Sequence, residues 1–162
     1  MAESPSPETI AHMHRWFAIE CNNTCWELIE KGNRSPEDDR LMLYRAYASA
    51  FHWDFAGTPL NAARAELTLA HAHSLLGQGE LALIYARRDL DFCEHNDCED
   101  WDLAFAHAAM AFAAAVNGDV ELHARHYAEA KRRGEVIADE IDRSIFQGSF
   151  NQIPSEVLPH QS

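Results

Sequence analysis

Positive charge is scarce in this chain. Thirteen lysines and arginines stand against 26 aspartates and glutamates, a formal net charge of −13. Nucleic-acid binding needs clustered Lys and Arg to neutralise phosphates, so the composition argues against that class of partner. The one basic cluster, Lys131-Arg132-Arg133, falls in a predicted helix among acidic residues and reads as a solvated face. Acidity favours self-repulsion in solution and names no partner. Cysteine is also sparse. The four thiols form no disulfide framework, and Cys21 and Cys25 lie one helical turn apart, a spacing suited to packing. No apolar run reaches the ~20 residues of a transmembrane helix, so a membrane partner is not expected. The N-terminal MAESPSPETI has neither a basic n-region nor an apolar h-region, which predicts no secretory leader and a cytoplasmic protein. β-branched residues are few and alternation nowhere persists, so strands are not expected.

What the chain has is alanine and helical period. Residues 101–116 (WDLAFAHAAMAFAAAV) are half alanine, and Asp102 and His107 are their only polar members. A helix apolar on every side must be covered on every side. Alanine also lets neighbouring backbones approach closely while favouring helix. This segment is therefore expected as a central wall of an all-α domain. At 162 residues one domain suffices, burying roughly 70% of its unfolded surface with no need of metal or disulfide.

Six helices are predicted, at about 8–31, 36–55, 59–76, 79–95, 99–116 and 119–142. The breaks have physical causes. Ser35-Pro36 and Thr58-Pro59 place a capping hydroxyl before a proline at the first helical position, and Gly32, Gly57, Gly77 and Gly118 stop the preceding helices. Asp119 is a candidate cap. Short connections force antiparallel neighbours, giving three stacked helical hairpins, with a compact six-helix bundle as the alternative. The domain is expected over residues 8–142. Residues 1–7 read as a flexible leader, and residues 143–162 as a tail that packs back over the last hairpin or frays.

Leu76-Gly77, and Ala130 twelve residues after Gly118, match positions of the tetratricopeptide repeat. Over residues 59–142 the chain resembles that family, with departures. His73 stands at the family's tryptophan, Glu80 at its tyrosine, Asp89 at its second-helix alanine and Trp101 at its proline. The spacing from Gly77 to Gly118 also exceeds the family's 34 residues. The resemblance implies stacked α-hairpins that bind another protein or a peptide.

Splitting each helix at about 100° per residue gives core stripes and flanks. The stripes are Ile10, Phe17, Cys21 and Leu28 in the first helix, and Leu41, Tyr44, Ala48, Phe51 and Phe55 in the second. In the third they are Ala62, Ala65, Leu69, Ala72 and Leu76, with Arg64 and His71 pointing away. Arg45, His52, Glu66, His73, Asp102 and His107 then fall beside or within core faces. Buried polar groups must find partners, so Arg45, Glu66, His73 and His107 are expected to converge, with an Arg45–Glu66 ion pair and His52 and Asp102 nearer one end. Such a cluster could hold a small molecule or do acid–base work through Glu66 and His107. Taken singly, each histidine fits a structural hydrogen bond, and Asp102 fits the positive end of its helix dipole.

Ile19, Trp26 and Trp53 fall off the stripes and suit an interface with a protein or peptide partner, a second copy of the chain included. Ten histidines prompt a search for metal ligands. Glu-x-x-His and His-Glu-x-x-His are missing. Asp119/His123/His126 and Cys93/His95/Cys98 are weak candidates without a second ligand pair, so no metal or cofactor is assigned. No nucleophile elbow and no phosphate-binding Gly-x-x-x-x-Gly-Lys occurs. The leading expectation is a non-catalytic helical interaction module. A small-molecule-binding protein or enzyme using the six polar residues is the alternative, and a metal-binding bundle a weaker one.

Overall fold

The structure is a computed structural model that describes residues 4–157. It is all-helical, with no strand among the described residues. The helices are α1 (Pro7–Ile29), α2 (Pro36–Ala56), α3 (Pro59–Leu75), α4 (Gly79–His95), α5 (Asp100–Asn117), α6 (Val120–Glu135) and α7 (Glu140–Phe150). The starts follow the expected chemistry. Ser6, Ser35 and Thr58 cap α1, α2 and α3 ahead of a proline, and Asp119 accepts the Leu122 amide at the start of α6. Gly118 closes α5 at φ 78°, a left-handed conformation that only glycine adopts without strain.

Two boundaries are corrected. The expected leader ends in structure, because Ser6 and Pro7 already form the cap and first turn of α1; residues 1–3 lie outside the described residues. The sixth helix stops at Glu135 and a seventh follows. Asp139 caps α7 by accepting the Ile141 and Asp142 amides, and an acidic first turn favours the helix N-terminus. The tail therefore packs back at least as far as Ile153. Phe146, Phe150 and Ile153 are buried, and the Phe146 ring stands edge-on to Phe105 with centroids 5.2 Å apart. Gly134 in α6 makes this approach possible, since a Cβ there would overlap the Phe146 ring. Residues 158–162 of the expected tail lie outside the described residues.

Each helix packs on its sequence neighbour, and the odd-numbered helices α1, α3, α5 and α7 also pack on one another in succession. Among the described residues the backbones of α2, α4 and α6 do not pack on one another, although the Tyr47 and Tyr85 hydroxyls of α2 and α4 meet at 3.1 Å, and the first hairpin reaches α5 only through side chains, with the Trp26 and Phe105 ring centroids 6.4 Å apart. The helices thus pack in adjacent pairs along the chain, seven where six were expected. α3 and α5 are the inner layer. Residues 67–74 of α3 and 104–115 of α5 are buried without interruption, which gives the alanine-rich helix the central position its composition demands. The larger core cluster spans α3 to α7, and a smaller one joins Cys25, Leu28, Ile29, Met42, Ala46, Leu69 and Ala72 of the first three helices.

The expected stripes of α1 and α2 are largely on the wrong side. Tyr44, Phe51 and Phe55 are more than half exposed, and Ile10 and Phe17 are open too. The seam is built instead from small residues, Ala18, Cys25, Ala46 and Ser49, all fully buried. Cross-helix bonds show how close the backbones come. Ser49 Oγ donates to the Ala18 carbonyl at 2.9 Å, Cys25 Sγ to Met42 at 3.4 Å, and Arg45 Nη1 to Thr24 at 2.8 Å. Rings cannot enter a seam whose carbonyls are already reached by a serine, so volume, not hydrophobicity, decides which face turns inward.

Candidate functional site

Arg45, Glu66, His73 and His107, expected to converge with His52 and Asp102 nearer one end, each have other partners. No two of them share a hydrogen bond or ion pair. Arg45 spends its guanidinium on the Thr24 carbonyl, and Glu66 lies 3.5 Å from Arg88 instead. Burial holds the Glu66 carboxyl above its ordinary range. His73 is fixed by a chain of hydrogen bonds. Its Nδ1–H donates to Gln78 Oε1, and its Nε2 accepts from Tyr47, whose oxygen lies 3.1 Å from the Tyr85 hydroxyl. His107 and His126 face each other, Nδ1 to Nδ1, at 2.9 Å. Arg125 donates to His126 Nε2, so the shared proton sits on His126 Nδ1 and His107 accepts it. Burial pushes His107 down to about 4. His52 pairs with His14, Nδ1 to Nδ1 at 2.8 Å. The helical facing failed because α3 and α5 are covered along most of their length, so polar residues on them pair with whichever neighbour lies closest, whatever face the period assigns them.

Arg64 and His71, expected to point outward, are drawn inward for the same reason. Arg64 Nε and Nη2 bind the two Asp102 oxygens at 2.8 and 2.9 Å, and the guanidinium lies 4.3 Å from the Trp101 ring centroid. Asp102 Oδ2 also accepts the Glu99 amide, so it serves both as helix cap and as ion-pair partner. His71 is buried and donates Nδ1–H to the Leu67 carbonyl.

The structure offers a different site. The odd-numbered helices enclose a groove of about 440 Å³. Each contributes one helical stripe, spaced three or four residues apart as neighbours on one face must be. α1 and its C-cap supply Asn22, Asn23, Trp26, Glu27 and Glu30, and α3 supplies Arg64, Leu67 and Thr68. Trp101 and Phe105 come from α5, and Asp142, Ile145 and Ser149 from α7. α1 and α7 do not touch and face each other as opposite walls.

Trp26, Leu67, Trp101 and Phe105 make an apolar floor. Its polar atoms are placed by a relay: Trp26 Nε1 donates to Thr68 Oγ1 at 3.2 Å, and Thr68 donates to Asn22 Oδ1 at 3.1 Å. The Asn22 amide nitrogen and both ends of the Asn23 amide make no hydrogen bond among the described residues.

Trp26, expected at an outward interface, thus lies in this floor. Ile19 is 41% exposed on α1, and Trp53 is half-buried with Arg15 5.9 Å from its ring centroid. A further apolar surface lies at the open end of the first hairpin, where His14 stacks on Phe55 and Phe17 on His52.

Of the groove residues only Trp26 was a candidate from the sequence, and there as an outward interface residue; Arg64 was expected to point away, and the rest were missed. The signal available was the set of stripes on alternate helices. It could be read only after knowing that those helices share a face.

Among the described residues no three His, Cys, Asp or Glu side chains are disposed to hold a metal ion. No helix there is long and apolar enough to cross a membrane. Fold and groove together define an all-helical protein of paired helices with a partly aromatic groove among its described residues. No protein-family model, curated protein or solved structure matches the chain.

Proposed function

We propose that the chain is a non-catalytic interaction module that holds a segment of another polypeptide in the groove between α1, α3, α5 and α7. The observation that carries this reading is the groove itself: an apolar floor with unpaired amides beside it, lined by four successive odd-numbered helices. Peptide recognition needs this combination, buried apolar contact for affinity and free donors and acceptors for the peptide backbone. The guanidinium of Arg64 is held by both Asp102 oxygens through Nε and Nη2, which ties the groove's cation to a structural ion pair. The packing of odd helices in succession is also what a tetratricopeptide-like stack would have. The expected small-molecule site loses its support, because Glu66 and His107 neither pair nor line the groove.

The four tryptophans provide the test. Peptides selected from a random display library against the protein are titrated while the indole N–H resonances are followed by NMR. Trp26 and Trp101 should shift, while Trp16 and Trp53, which do not line the groove, should stay in place. Movement of Trp16 and Trp53 alone would put the interface on the outer face of the first hairpin and defeat the proposal.

A further inference from the structure

The groove's charge is lopsided in a way that its shape does not require. Its one cation, Arg64, is matched by the two oxygens of Asp102 and stacked on Trp101. The remaining charged groups are Glu27 and Glu30 on the α1 wall and Asp142 on the α7 wall. None of these carboxylates has an ion-pair partner or a side-chain hydrogen bond among the described residues, so their charge is not neutralised locally. Unpaired carboxylates on both sides of an aromatic floor concentrate negative potential in the space between them, and low-dielectric walls focus it. The chain's formal charge of −13 adds to that field at longer range.

Resting on the groove reading above, we infer that the bound segment is cationic: a stretch of another protein with Lys or Arg beside a bulky apolar side chain. The apolar residue packs on Trp26, Leu67 and Phe105. The cation sits between Glu27 or Glu30 and Asp142, and the Asn23 amide meets the segment's backbone. A volume of about 440 Å³ lies within the ~300–1,000 Å³ range of built binding sites and admits a few side chains. An acidic segment would face repulsion from both walls.

Heptapeptides selected by phage display on the full chain provide the probe, made synthetically and measured by fluorescence anisotropy at two salt concentrations. Enriched peptides should carry Lys or Arg next to an apolar residue. The variant Glu27→Gln/Glu30→Gln/Asp142→Asn should bind them about ten-fold more weakly and with a flatter salt dependence. A variant with the same charge change off the groove, Glu94→Gln/Asp97→Asn/Glu121→Gln, should bind as the parent does, and so controls for net charge. Asn23→Trp, a neutral obstruction at an exposed position, should abolish binding.

If Asn23→Trp abolishes binding but the groove-charge variant binds normally, or if the enriched peptides are neutral or acidic, the cationic assignment falls and the groove reading stands. If binding survives Asn23→Trp, the groove reading falls. Failure to enrich any peptide overturns both. Spermine displacing the peptide at equal concentration would show that a free polyamine suffices, and would overturn the assignment to a protein segment.

Discussion

His71 makes acid stability a direct measure of how completely α3 is covered. The side chain is 2% exposed, its Nδ1–H is committed to Leu67, and its Nε2 has no partner. Trp26 lies 5.1 Å from the ring and Phe112 6.3 Å, so no carboxylate is at hand to favour the imidazolium. Burial accordingly pushes the group from 6.5 down to about 4. Because the folded value is the lower one, the unfolded chain takes up the proton first. The stability owed to neutral His71 is complete above pH ~6.5 and is lost as pH falls from there to ~4.

At ~1.4 kcal/mol per pKa unit the full loss is about 3 kcal/mol, and about 2 kcal/mol of it falls between pH 7 and pH 5. His71→Asn keeps an N–H near the Leu67 carbonyl and cannot titrate. The void it leaves lowers stability at every pH by about 1–3 kcal/mol. Urea unfolding at pH 7, 6 and 5 should therefore show the two curves converging by about 2 kcal/mol as the pH drops. Parallel curves would refute the reasoning, for they would mean that the imidazole is as well solvated in the fold as in the open chain. His107, also pushed down to about 4, will leave a residual acid slope in the variant.

Other perturbations follow from single contacts. Asp89 is buried with Oδ2 unpartnered, and burial, then the nearby Asp102 charge, raises its carboxyl well above the usual range. Asp89→Asn should stabilise by about 1–2 kcal/mol at pH 7, with the gain fading toward pH 4, where the unfolded carboxyl also holds its proton; a pH-independent effect in chemical denaturation would contradict this. Gly134→Ala should cost about 1–3 kcal/mol by forcing Phe146 outward, and should raise amide exchange in α7 before any other helix. Arg64→Ala strands Asp102, which is 3% exposed. The loss should reach about 2–3 kcal/mol in thermal or urea unfolding, and a cost under ~0.5 kcal/mol would show that water replaces the guanidinium.

The sequence was most legible where local chemistry decides the outcome. Ser35-Pro36 and Thr58-Pro59 act within a few residues, and they mark their helices where the structure has them. The alanine run of α5 could be placed at the centre because burial on all sides leaves only one location. The α6–α7 break was hidden because its stop, Val136-Ile137-Ala138, is apolar, and the signals that flank it, Gly134 at the end of α6 and Asp139 capping α7, were read as falling within and near the end of one long helix. The facing of α2 was misread because the hydrophobic stripe and the packing seam are different faces. Met42, Ala46 and Ser49 go inward and Tyr44, Phe51 and Phe55 do not. The polar cluster failed for a related reason: equal height along neighbouring helices says nothing about which side chain a third helix will capture. Trp26 was picked out as unusual, but whether it faces out or into a groove depends on α3 and α5, which lie about 40 or more residues away in sequence.

The lack of contact between α1 and α7 has a mechanical consequence. The two walls of the groove are joined only through α3 and α5, so its width is set by the angles between successive hairpins rather than by any strut across it. Small rotations at each hairpin junction add along the stack, and the walls respond to the sum. If the groove holds a segment as proposed, its walls would close on a narrow one or open to a wider one while each helix keeps its own hydrogen bonds.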